Sequence, residues 1–215
     1  MSQRPAGGRH WVLRWAGVWA ALAGGGSAAV AAIPLLPSVY DTPADPTGTR
    51  SLSGGTMASD VPGWSDTTIF WTVTPNPDGT LRYTYTLTGF ITPAVLLFTL
   101  DLTDNAVLDP LSVTSATVNG DPVLFALGDL DGITGAVRFE GGGTGTIVYS
   151  FDSNRAPVWG HFLIGGDAGV AVNVAFGDNT SPDPLDYIAR PNGAIPEPAG
   201  LAGLALAGLL LVRRR

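Results

Sequence analysis

The chain has 215 residues, 45% of them hydrophobic, with 29 Gly, 17 Pro, no Cys and a formal charge of −7. All 11 basic residues are Arg: three near the start (Arg4, Arg9, Arg14), three at the end (Arg213, Arg214, Arg215), and five between Ile33 and Ile195, where 17 acids give the middle a formal −12. An acidic middle argues against a nucleic-acid partner, which needs clustered cations. The lack of Cys removes disulfides, thiolate chemistry and Cys-based zinc sites, and the lack of Lys removes Schiff-base and P-loop chemistry.

Residues 1–32 have the order of a secretory signal peptide. A positive segment precedes the apolar stretch 15–23, and Ala28-Ala-Val-Ala-Ala32 offers small residues for cleavage near Ala31 or Ala32. Trp11, Trp15 and Trp19 recur every four residues and share one face of the expected signal helix. Residues 33–62 are rich in Pro, Asp, Thr and Ser and read as a loose lead-in.

Residues 63–176 alternate short apolar runs with turn clusters such as Pro75-Asn-Pro-Asp-Gly79, Asp129-Leu-Asp-Gly132 and Gly141-Gly-Gly143. The runs cover 67–74, 80–90, 95–102, 113–118, 123–127, 133–139, 144–151, 158–164 and 170–176. About nine short strands at this spacing, with no helical stretch between them, predict an all-β, antiparallel β-sandwich. The clearest hairpin is 67–90, turning at Asn76-Pro-Asp-Gly79. Its period of two places Ile69, Trp71, Val73, Leu81, Tyr83, Tyr85 and Leu87 on a core face. Thr68, Phe70, Thr72, Thr74, Thr80, Arg82, Thr84, Thr86 and Thr88 fall on a wet face. Such Thr rows raise an ice-binding reading, although the β-propensity of Thr explains the same residues.

Residues 177–194 are rich in Pro and Asp and read as a linker. Residues 195–215 end the chain with Pro196-Glu197-Pro198, the apolar run 199–212, and Arg213, Arg214 and Arg215. The run spans roughly 21 Å as a helix, against about 30 Å for a hydrocarbon core, so it predicts a short transmembrane helix. Both Arg clusters set a cytoplasmic side and place residues 33–195 outside.

The three-part order of this tail resembles the PEP-CTERM sorting signal of Gram-negative bacteria. The resemblance implies export, a transient inner-membrane anchor, processing near Pro196, Glu197 and Pro198 by an exosortase, and release to the cell surface or beyond. It also implies association with extracellular polysaccharide and biofilm matrix. A second segment, Val148-Tyr-Ser-Phe-Asp-Ser-Asn-Arg-Ala-Pro-Val-Trp-Gly-His-Phe162, is similar to a Ser-Asp-Arg-x-Pro-Val-Trp-Gly-Asp-Phe pattern in ectodomains carrying such tails. Asn154 and His161 replace Asp residues of that pattern.

Candidate site residues within the middle are few. A catalytic triad would have to use His161, the sole His after the signal, and no nucleophile-elbow motif accompanies it. Asp129 and Asp131 have calcium-ligand chemistry but fail EF-hand spacing, since position 12 falls on Arg138; a plain Asp-Gly turn explains them as well. Among the aromatic residues, Trp64 precedes the first expected strand and is the candidate carbohydrate-stacking ring. The sequence therefore predicts a non-catalytic matrix or surface protein without a required cofactor. A polysaccharide-binding module is the alternative.

Overall fold

The structure, a computed structural model, describes residues 39–102 and 113–192. The expected signal peptide, the apolar run 199–212 and the Pro196–Pro198 motif lie outside the described residues. The fold is all-β and antiparallel. Twelve strands follow in chain order: β1 (Thr47–Ser51), β2 (Met57–Ser59), β3 (Thr68–Pro75), β4 (Leu81–Asp101), β5 (Thr114–Val118), β6 (Asp121–Pro122), β7 (Phe125–Leu130), β8 (Ile133–Ser153), β9 (Pro157–Gly160), β10 (Phe162–Gly166), β11 (Gly169–Asn173) and β12 (Ile188–Pro191). Among the described residues ten belong to one sheet, and β9 pairs with β12 and bridges to Pro43 through Val158.

Two long strands organise this sheet. The first part of β4 pairs with β3, which carries β1, while its second part pairs with β10, which leads to β11 and β2. Along β8 the partner likewise changes from β7 to β5. The expected pair of separate sheets is therefore one continuous sheet that curls nearly to closure.

The bend has a local cause. Between Leu87 and Leu97 the β4–β8 register shifts three times, and the opposing stretch of β8 holds Gly141, Gly143 and Gly145, all at positive φ. In the sequence Gly141-Gly-Gly143 is one of the expected turn clusters. Here glycine bends a strand without ending it, so 133–139 and 144–151 join into β8, as 80–90 and 95–102 join into β4. Conversely, the expected strand 158–164 splits into β9 and β10, with His161 between them.

On the expected core face of the hairpin, Ile69, Trp71, Val73, Tyr83, Tyr85 and Leu87 are buried and Leu81 is half-buried against the core. Inside, aromatic rings from β4 and β8 run in contact, with Tyr83 stacked on Phe151 at 5.3 Å, Phe151 on Phe139 at 5.4 Å, and Phe98 beside Tyr85 at 5.2 Å. Burial drives the Tyr83, Tyr85 and Tyr149 hydroxyls well above the ordinary tyrosine range.

Both flanks of the expected domain need correction. The lead-in contains β1 and β2, each paired into the sheet. The linker contains β12, whose four residues are all buried. Neither carries a run of large apolar side chains, so hydrophobic pattern could not reveal them. Backbone pairing and buried Arg side chains hold them instead.

Candidate functional site

Three of the five central arginines, Arg50, Arg155 and Arg190, are buried. A guanidinium out of water must find acceptors for its five donors, and most of these acceptors are main-chain carbonyls. Arg50 Nε donates to Tyr187 O at 2.7 Å, its Nη1 to Thr49 O at 2.7 Å and its Nη2 to Pro184 O at 2.8 Å. Its Cζ lies 4.7 Å from the centre of the Trp71 ring, a cation–π contact. Desolvation pulls its pKa down to about 10, which still leaves it a cation at neutral pH. Arg155 Nη1 donates to Asn192 O at 3.0 Å. Arg190 donates to Trp159 O and Leu102 O, pairs with Asp101 Oδ2 at 3.3 Å, and bonds the Asp41 carboxylate. Together the three fasten residues 184–192 to the sheet.

The segment that resembles the ectodomain pattern forms the other side of this clamp. Arg155 O accepts from the Tyr83 hydroxyl at 2.8 Å. Trp159 packs edge-on against Trp71 at 6.2 Å. Gly160 is needed because a Cβ there would lie 2.4 Å from Arg190 Cγ.

His161 closes the segment and lines a pocket of about 170 Å³ with Tyr40, Ile133, Thr134, Phe176 and Asn179. Tyr40 stacks on its ring at 5.2 Å, Tyr187 lies at 5.4 Å, and the Tyr40 hydroxyl donates to Asp101. Asn173 Oδ1 accepts from Phe162 N at 3.1 Å, so its Nδ2 is the atom facing His161 Nδ1 at 3.0 Å and Asp186 O at 2.6 Å. The imidazole Nδ1 is therefore an acceptor. The amide at this position fixes the orientation of the ring.

Trp64 is not on the surface. It ends the short turn Pro62–Trp64, is fully buried, packs edge-on against Phe90 at 4.9 Å and donates from Nε1 to Pro93 O at 2.9 Å. It fills the bend of β4, and the expectation of an exposed stacking ring is corrected. Trp71, Trp159, Tyr83, Tyr85 and Tyr149 are buried as well.

Asp129 and Asp131 take separate structural tasks. Asp129 Oδ1 accepts from Gly135 N at 3.0 Å, while Asp131 Oδ2 accepts from Thr99 Oγ1 at 2.5 Å and its Oδ1 lies 3.6 Å from Arg138 Nη1. Arg138 thus supplies Asp131 with a cation. Among the described residues, no group of three or more His, Asp or Glu is placed to hold a metal.

The wet face of the first half-sheet is the other notable surface. Cross-strand register aligns Thr47, Thr72, Thr84, Ser150 and Thr117 into one row over β1, β3, β4, β8 and β5. The next row reads Thr49, Phe70, Thr86 and Val148, with Phe70 exposed at 41%. Another reads Thr74, Arg82, Asp152 and Thr114, where Arg82 grips Asp152 at 2.5 and 2.8 Å. That grip holds the Asp152 carboxyl below its ordinary range.

Compared with family models, curated proteins and solved structures, the chain matches none of them.

Proposed function

We propose that this chain is an exported envelope or extracellular-matrix protein with a non-catalytic structural or surface role. The observation that carries the reading is the order Pro196-Glu197-Pro198, apolar run 199–212, and Arg213, Arg214, Arg215. In this reading a signal helix directs export, and the short transmembrane helix holds the chain in the inner membrane until an exosortase-type enzyme cuts near the motif. The curled sheet, its two halves meeting across one core as in a sandwich, is the body delivered to the surface. Its buried arginines support a structural role, since Arg50 and Arg190 donate to main-chain carbonyls that hold the fold.

Mass spectrometry of the exported protein tests the sorting. The expected product starts near residue 32 or 33, ends near Pro198 and lacks Arg213–Arg215. Recovery of the intact tail in the cytoplasm would refute the reading.

The second reading, a polysaccharide-binding module, is favoured by the outward hydroxyl rows around Phe70. Trp64 has no part in it.

A further inference from the structure

We propose that the outer face of the β1–β3–β4–β8–β5 half-sheet binds a neutral, polyhydroxylated polymer, an uncharged glycan lying across the strands. This rests on the second reading above and assigns it a surface.

The geometry comes first. Adjacent strands lie about 4.8 Å apart, so the row from Thr47 to Thr117 is roughly 19 Å long, with Thr47 exposed, Thr72, Thr84 and Thr117 half-buried, and Ser150 buried among them. Each Thr or Ser hydroxyl is one donor and two acceptors and can rotate to suit. Sugar hydroxyls have the same dual character, so the two surfaces can pair in either sense. Thr117 and Ser150 already do so with each other at 2.8 Å. In the next row Phe70 stands exposed among these hydroxyls. Its ring offers an apolar plate for the C–H face of a sugar.

Charge decides the ligand class. The middle of the chain holds 17 acids, yet Asp152 is the one acid in the rows described above, and Arg82 neutralises it with a two-point grip. Strand propensity accounts both for the Thr and for the scarcity of Asp on an exposed strand; what a ligand meets is a set of rows whose one acid is already paired. A polyanion would meet no cation here that lacks a partner, and a polycation no such anion. An uncharged polymer has no ionic group to desolvate on binding, and the face asks for none.

The test uses the full chain in mild detergent, mixed separately with cellulose, insoluble β-1,3-glucan and alginate beads, and follows depletion from solution. Saturable depletion by a neutral glycan, insensitive to added salt, is expected, with none by alginate. Phe70→Ala and Thr84→Asp should each weaken it by about tenfold or more. Thr49→Asp, on the edge strand, gives the same readout should Thr84→Asp lower the melting temperature. No depletion by either neutral glycan, binding to alginate alone, or unchanged binding by folded variants would overturn the proposal. So would ice-crystal shaping without glycan binding, which would assign the face to ordered water. A correct C-terminus near Pro198 without glycan binding sinks this proposal alone, and glycan binding with failed sorting sinks the sorting reading alone.

Discussion

Arg50 reaches across 137 positions of sequence to donate from Nε to the main-chain oxygen of Tyr187 at 2.7 Å. Through this bond a strand from a Thr-rich, apolar-poor segment and a strand from a Pro- and Asp-rich segment stabilise one another. Replacing Arg50 with Ala leaves the carbonyls of Tyr187 and Pro184 short of donors and opens space beside Trp71. The expected loss is about 2–4 kcal/mol in urea unfolding. Arg50→Lys should recover little of it, because one ammonium cannot copy the planar fork.

Trp64→Ala separates a packing role from a binding role. The ring is fully buried against Phe90, so its removal should cost about 3–5 kcal/mol. Phe70→Ala, on the open face, should change stability by about 0.5 kcal/mol or less. Chemical denaturation of both variants side by side checks the contrast. Equal stabilities would contradict the placement of Trp64.

Gly48 touches the same core from the edge strand. A Cβ there would lie 2.1 Å from the Trp71 ring, and that ring also carries the Arg50 contact. Gly48→Ala should therefore destabilise by about 1–3 kcal/mol through overpacking. The accompanying change in near-ultraviolet dichroism should report a displaced Trp.

The pH dependence has two arms. Asp152 is held below its ordinary range by Arg82, so its contribution is present above the unfolded carboxylate value of about 3.9 and is lost as pH falls through the lower folded value. With Arg82 39% exposed, the pair is worth about 0.2–1 kcal/mol. Asp152→Asn should flatten the acid limb of a stability–pH curve by that amount.

At alkaline pH the buried tyrosines act in the opposite sense. Their folded values are raised by burial, so above about 10 the unfolded chain releases protons that the folded one keeps. Stability should be full below that pH and decline above it. Absorbance titration should show Tyr83, Tyr85 and Tyr149 ionising with unfolding rather than before it.

The sequence by itself determined the strand chemistry: antiparallel β structure, the turn at Asn76–Gly79, and the inward and outward faces of β3 and β4. Those follow from a period of two and from turn residues, which are local properties. It also determined the order of charged and apolar segments at the two ends, on which the sorting proposal stands. Tertiary structure decided what local pattern cannot hold. Whether Gly141–Gly143 reversed the chain or bent it depended on the opposing part of β4. Whether Trp64 was exposed depended on a bend some 25 residues further along the chain, where Phe90 and Pro93 receive it. Nothing in one dimension marks Arg50, Arg155 and Arg190 as buried, because a lone Arg in a polar segment carries no sign of its environment. Only the folded chain supplies the carbonyls that make burying them tolerable, and most of those carbonyls come from residues distant in sequence.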